Sequence, residues 1–417
     1  MTERPERVGA ARLIFLYVLV AGVLGVHLFA FIHLREGIRR GYPDFTAYYT
    51  GGTMVRNRWA DQLYDLHDQY AIQMKFAGTI PSRHGPLPYI HPPFEALIFW
   101  PLAYLSYPGA FAVWGLLNVG ILFAVAGLLR TSVSVFRVVR PWEFVLASLA
   151  FFPIFICLLQ GQDSILLLLA EALAFRALKK NAEVEAGCWL GMGMFRFHFV
   201  IPVVILIVIW KGKRVALGFA AVFALLLLIS AGMMGRGLLD YPAFALRITN
   251  TPGMGGVPAE AAPNLRGLVL GWGLPVSPPL GATVTLGASA LLLLYAATRG
   301  RGKGWTEQLE LQFSLAIAVA GLVAWQTNLH DLSLLVLPVV LLSDYRLRRM
   351  KATGGRPLRL GLLPLLPVLV GSLPVVLWML QVSVNLLAIP LLWWVWEIGR
   401  ELSKSWQFRG SETQVPV

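Results

Sequence analysis

Apolar runs of about twenty residues recur along nearly the whole chain, divided by short polar connections. A helix of that length is long enough to cross a hydrocarbon core of roughly 30 Å. Short segments of alternating apolar and polar residues, which a membrane β-barrel requires, are missing from the sequence. The pattern predicts an all-α, polytopic membrane protein of about twelve transmembrane helices, both ends on one side. The first run, residues 12–34, is longer than the core of a signal peptide. No small-x-small cleavage site follows it, so it reads as a retained helix.

Composition supports this reading. Of 417 residues, 57% are hydrophobic and only 14% charged, and the mean hydropathy is +0.66, far above a soluble domain. The net charge of +13 raises the question of nucleic acid, but the basic residues sit in short connections between apolar runs. Arg130, Arg137 and Arg140 form one cluster, Arg176, Lys179 and Lys180 a second, and Lys211, Lys213 and Arg214 a third. Arg299, Arg301 and Lys303 form a fourth, and Arg346, Arg348, Arg349, Lys351, Arg356 and Arg359 the densest. This is the positive-inside pattern of a multi-pass plasma-membrane protein, not a face for phosphates, and no nucleic-acid partner is expected. Cys157 and Cys188 lie in apolar stretches and predict neither a disulfide framework nor a zinc site.

With all five clusters, and Arg4, Arg7 and Arg12, placed in the cytoplasm, a consistent path emerges. Residues 35–93 form a first extracytoplasmic loop with interfacial helices, too long for a simple connector. The turn at Gln160–Asp163, the Gly/Pro-rich loop 233–280 and the turn at Gln326–Asp331 fall on the same outer side. The stretch 185–210 lies between two basic loops and is short for two full helices, which predicts a half-length hairpin broken near Arg196–His198. Residues 1–400 read as one transmembrane domain, and 401–417 as a disordered cytoplasmic tail. Residues 358–400 carry little polarity besides Gln381 and Asn385.

On this path the polar residues that are hard to explain collect at the outer helix ends. Ionisable groups are costly in a bilayer unless they face a cavity. A one-sided collection predicts an active-site chamber, whereas a transport path would place such groups near the midplane. Asp44 stands out. It directly follows the first helix, within Gly41-Tyr42-Pro43-Asp44-Phe45-Thr46-Ala47-Tyr48-Tyr49-Thr50-Gly51-Gly52, where a carboxylate meets both lipid-borne and water-soluble groups and can act as a general base. Tyr48, Tyr49, Tyr64 and Tyr89 suit either the membrane interface or a substrate. Gln160 and Gln162 either close a turn or bond sugar hydroxyls.

Asp-Phe-x-x-Tyr-Tyr-x-x-Gly after the first helix, then Leu63-Tyr64-Asp65, then Tyr89-Ile90-His91-Pro92-Pro93, resembles glycosyltransferase family 87. The likeness continues through Gln160-Gly161-Gln162-Asp163-Ser164, Gly187 to His198, Asn264-Leu265-Arg266-Gly267 and His330-Asp331. The chain departs from the family in having His91 where an aromatic residue often precedes the proline pair, and Arg196 where Lys is frequent.

The resemblance implies a C-type membrane glycosyltransferase fold with polyprenyl-phosphate sugars as donors, similar to α-1,2-mannosyltransferases of glycolipid assembly. It implies transfer of a hexose, mannose first, to a glycolipid or glycan acceptor at the extracytoplasmic face. Asp44 would act as base in a single inverting displacement. Arg196, His198, Arg266 and His330 become candidates for the lipid phosphate, with Gln160, Gln162, Tyr48, Tyr49 and His91 as further substrate contacts. No cofactor is expected. Asp44 and Asp163, the acids a metal would need, come from separate loops, and no close carboxylate pair is visible. A lipid or sugar transporter using the same cavity, and a non-catalytic scaffold, are the alternatives.

Overall fold

The computed structural model describes residues 10–77, 87–134, 139–249, 251, 254, 256–273, 277–301, 305–352 and 380–412. Arg4, Arg7, Arg137, Lys303, Arg356, Arg359 and the whole stretch 358–379 lie outside them. Every regular element among the described residues is helical. In chain order these are α1 (Ala10–His33), α2 (Arg35–Arg39), α3 (Phe45–Arg56), α4 (Leu66–Gln73), α5 (Ala96–Phe99) and α6 (Tyr107–Ser132). Next come α7 (Pro141–Ala150), α8 (Phe152–Gln160), α9 (Ser164–Lys179), α10 (Glu183–Met192), α11 (Phe197–Lys211) and α12 (Lys213–Met234). The chain closes with α13 (Tyr241–Thr249), α14 (Leu265–Leu270), α15 (Pro278–Gly300), α16 (Trp305–Val323), α17 (Val336–Ala352) and α18 (Ala388–Glu412).

Five stretches are long and apolar enough to span a bilayer, or six if the α7–α8 pair, bent by 79°, counts as one. Among the described residues this is fewer than the expected count of about twelve; helices such as α9, with 16 residues, are too short to be counted. One of the five, the 29-residue stretch Glu183–Lys211, is not a rod. A straight helix of that length would hold its ends about 42 Å apart, yet Lys211 Nζ lies 3.9 Å from Glu183 Oε1. The chain therefore runs out along α10, reverses through a 3₁₀ turn at Gly193–Arg196, and returns along α11. Packing on α12 agrees. Gly187 abuts Val215 and Phe219, Gly191 abuts Val222, and Gly218 abuts Val184. The register rises together along both helices, so α10 and α12 are parallel and α11 is the return arm.

The basic clusters gather at one end of the bundle. Lys179 Nζ donates to the Ser132 carbonyl at 2.5 Å and to Glu310 at 2.9 Å. Arg348 reaches Glu310 at 2.7 Å and Asp344 at 3.0 Å. Trp210 Nε1 donates to the Ala297 carbonyl, and Gln312 to that of Gly300. These bonds tie the ends of α6, α9, α11, α15, α16 and α17 into one polar layer. The tail beyond Arg400 is a correction. Where disorder was expected, α18 continues to Glu412, and just past Arg400 Glu401 pairs with Arg349 and Ser403 accepts from Arg299 at 2.7 Å.

At the opposite end, a smaller aromatic core sits beneath α3. Phe45 meets Phe111 edge-on at 5.5 Å, and Tyr48 stacks on Phe99 at 4.6 Å, arrangements favoured by the ring quadrupoles. Gly52 lets α3 settle onto the α5 backbone. A Cβ there would stand 2.6 Å from both Phe99 C and Phe99 O. A Cβ on Gly115, in α6, would meet no neighbouring atom within 4 Å. Gly52→Ala is therefore expected to destabilise the fold by about 1–3 kcal/mol through overpacking, whereas Gly115→Ala should be neutral or stabilising. Thermal unfolding of the two detergent-purified variants checks this.

Candidate active site

Gly161 makes the turn that presents the site. It ends α8 in the left-handed conformation (φ 64°), and a Cβ would fall 2.7 Å from Phe45 Cβ, so glycine serves both angle and space. Trp114 Nε1 donates to its carbonyl at 3.0 Å. On either side, Gln160 and Gln162 face Asp44 at the start of α3. Gln160 Oε1 accepts from the Asp44 backbone N–H at 3.2 Å, and Gln162 Nε2 donates to Asp44 Oδ2 at 2.7 Å. The two glutamines fix the position of the carboxylate through its backbone and side chain.

Behind them lies Arg196, at the tip of the α10–α11 reversal. Its Nε donates to Asp163 Oδ1 at 2.6 Å and its Nη1 to Asp331 Oδ1 at 3.1 Å. Its Nη2 reaches Tyr48 Oη at 3.1 Å and also meets Gln162 Oε1 and Asp163. Tyr48 donates to the same Gln162 oxygen at 2.7 Å. Asp331 accepts further bonds from Ser164 Oγ at 3.0 Å and the Asn328 N–H at 2.8 Å, and its Oδ1 is 3.4 Å from His330 Nε2. One buried guanidinium thus joins α3, the α8–α9 turn, the hairpin tip and the Asn328–Leu335 turn. Charge-assisted bonds of this kind are the strong ones, and a planar fork can serve several partners at once.

These groups border a cavity of about 170 Å³ lined by Asp44, Gln162, His91, Arg196, His198, His330 and Asp331, together with residues of α13 and of the turn at Gln326. A second cavity, about 590 Å³ and mainly apolar, lies against it. Pro92, Phe197, His198 and Tyr241 line both. His198 Nε2 is buried and has no hydrogen-bond partner among the described residues, which leaves an imidazole nitrogen available where the two cavities meet. Helix α13 contributes Tyr241, Ala245 and Thr249 to the polar cavity, and the segment after it Val257.

The other sequence candidates divide. His91 lines the cavity and packs on Tyr48, with ring centroids 4.6 Å apart. Burial, with Arg196 close by, pushes its imidazole down to about 3, so it is neutral at pH 7. Tyr48 is fully buried and acts on Gln162, behind the cavity wall. Tyr49 donates to the Leu105 carbonyl at 2.7 Å and is not among the cavity-lining residues. Arg266 donates to the Trp325 carbonyl at 3.1 Å and the Val257 carbonyl at 2.6 Å. It ties the segment around Val257 to Trp325 and does not line the polar cavity. Sequence reasoning missed Glu95. It is fully buried and brought within 4.8 Å of His91 and Asp163 by ligand atoms, a close carboxylate pair that spacing along the chain did not suggest. Burial and the charge of Asp163 push the Glu95 carboxyl well above the usual range.

Arg196→Met would leave two buried carboxylates, Asp163 and Asp331, without their cation. A loss of about 3–5 kcal/mol is expected, read as a lowered unfolding midpoint in detergent. Arg196→Lys should recover only part of it, because a point donor cannot span the same set of partners.

The profile of Glycosyltransferase family 87 matches residues 89–325, a stretch that contains Gln162, Arg196, His198 and the apolar cavity wall but begins after Asp44. No curated protein and no solved structure shows significant similarity to the chain. With more than half of its length matched, the chain belongs to glycosyltransferase family 87 and is a membrane glycosyltransferase.

Proposed function

We propose that the protein transfers a hexose, mannose being the first candidate, from a polyprenyl-phosphate donor to a glycolipid or glycan acceptor at the extracytoplasmic face. One observation carries this reading: the polar cavity bearing Asp44 shares a wall with a larger apolar one. A donor with a polyisoprenoid tail and a charged sugar-phosphate head needs that pairing of environments. The basic helix ends lie opposite the cavity, in keeping with a site on the outer side.

Asp44 takes the proton from the acceptor hydroxyl as it attacks the anomeric carbon. Gln162 holds one carboxylate oxygen at 2.7 Å and so aims the other toward the acceptor. A single carboxylate suffices for one inverting displacement, while a retaining route would require a nucleophile as well. The phosphate departs as the C–O bond to it breaks, and the bonding pair stays on the phosphate oxygen. His198, at the junction of the cavities, and His330 provide the groups that meet it. Arg196, whose donors are shared among Tyr48, Gln162, Asp163 and Asp331, sets the field and positions Gln162.

Purified protein in detergent, given a polyprenyl-phosphate hexose and a lipid acceptor, should form the glycosylated product with no membrane gradient, which a transporter would not do. Asp44→Asn should lower kcat by about 10²- to 10⁴-fold while donor binding persists. Turnover equal to wild type would remove the general-base assignment. His198→Ala is expected to raise KM for the donor more than it lowers kcat, and steady-state kinetics over a donor titration separate the two.

A further inference from the structure

Beneath the cavity, His91, Glu95 and Asp163 offer one imidazole nitrogen and two carboxylates whose ligand atoms all lie within 4.8 Å of one another. Glu95 and Asp163 are fully buried. Neither Glu95 oxygen accepts a hydrogen bond, and Asp163 Oδ2 accepts none either. His91 Nδ1 is 3.1 Å from Glu95 Oε2 but off line for a hydrogen bond. Buried polar atoms in folded proteins are nearly always satisfied. The Glu95 and Asp163 carboxyls also face each other at hydrogen-bond range, so as two carboxylates they leave three oxygens without a donor, and the pair needs either a shared proton or a cation.

The surrounding charge points the same way. Asp44, Glu95, Asp163 and Asp331 crowd around the cavity floor, and Arg196 is the one guanidinium lining it among the described residues. Arg196 is already shared by Asp163 Oδ1 and Asp331, and neither Glu95 oxygen receives a bond from it. A proton between Glu95 and Asp163 would offset one charge; a divalent cation would offset two. The donor set, two carboxylates and one imidazole, suits Mn²⁺, Mg²⁺ or Zn²⁺. Ligand atoms held about 2.1 Å from such an ion stand up to about 4.2 Å apart, a spacing that small side-chain rotations reach from the present arrangement.

We infer that His91, Glu95 and Asp163 form a divalent-cation site under the floor of the cavity. The site goes beyond the glycosyl-transfer reading and does not depend on it. Glu95 and His91 are joined to the chain by the rigid His91-Pro92-Pro93-Phe94-Glu95 segment, and Asp163 by the Gly161 turn, so the ligands come from two fixed elements. A cation there would tie the loop before α5 to the α8–α9 turn and draw Asp163 between two positive partners.

The test uses the full chain, purified in detergent, stripped with chelator and titrated with Mn²⁺, with free Mn²⁺ read by electron paramagnetic resonance. One ion per chain should bind and raise the thermal midpoint. The isosteric Glu95→Gln should weaken binding at least tenfold. His91→Gln should do the same, and it serves as the second variant if the first does not elute as a folded monodisperse species. Asp68→Asn, in the surface Asp65, His67 and Asp68 group, where Asp68 itself is half-buried, should leave binding unchanged. The inference is overturned by folded wild type that takes up no Mn²⁺ or Zn²⁺, by binding that survives Glu95→Gln and His91→Gln, or by binding lost with Asp68→Asn. It is also overturned if Glu95→Gln stabilises the chelator-treated protein without any ion bound to wild type, the signature of a shared proton. None of these readouts involves turnover, so a failure here is separate from a failure of the glycosyl-transfer assay.

Discussion

The bridge from Arg196 to Asp163 and Asp331 is the interaction on which the site's geometry depends. Desolvating a guanidinium is expensive, and the cost is recovered only where its donors meet well-placed acceptors. Here those acceptors come from three separate parts of the chain. Asp331 in turn caps the Asn328–Leu335 turn through the Asn328 N–H, and Gln162 passes the arrangement on to Asp44. The orientation of one cavity-facing carboxylate is therefore set by a buried charge network rather than by local backbone preference. Such a network also restrains the hairpin tip, since Arg196 cannot shift without breaking bonds to the other elements.

The molecule separates its polarity into two layers with an apolar interior between. One layer, around Lys179, Glu310, Arg348 and Asp344, ties helix ends together by ion pairs. The other surrounds a cavity. The helices joining them carry Leu, Val, Ile and Phe on their buried faces. In a membrane there is little hydrophobic drive between helices, and close packing of small residues takes over. The approach of Gly187 to Val215 and of Gly218 to Val184 is such a contact, and it locks the parallel pair against which the hairpin folds.

Much of this could be read from the sequence because bilayer costs are severe. Apolar runs announced helices, and basic clusters announced one shared end, which the bonds of Lys179, Trp210 and Arg348 bring together. The hairpin followed from too few residues between two basic loops. Asp44, Gln162 and Arg196 were visible as polar residues at helix ends. Glu95 was not. Its partners, His91 four residues before and Asp163 far along the chain, become neighbours only through a tertiary fold, and the two prolines between His91 and Glu95 hid the helical spacing. Tyr49 and Arg266 lie away from the polar cavity, because an aromatic ring or a guanidinium at a helix end serves packing and loop anchoring as readily as substrate contact. The helical course of α18 past Arg400 was hidden by its polar composition, which cross-helix pairing with α17 and α15 compensates.

The doubling back at Gly193–Arg196 has a topographic outcome. Each place where a membrane chain reverses leaves backbone groups without helical partners, and such groups must find water or polar side chains. Three reversals, at Gly161, at Gly193–Arg196 and at Thr327–Leu329, meet around the same side chains. The polar cavity is thereby set at their common level within an otherwise apolar bundle. Its floor is fixed by where the polypeptide turns, so lengthening or shortening α10 by one turn would shift the polar chamber itself.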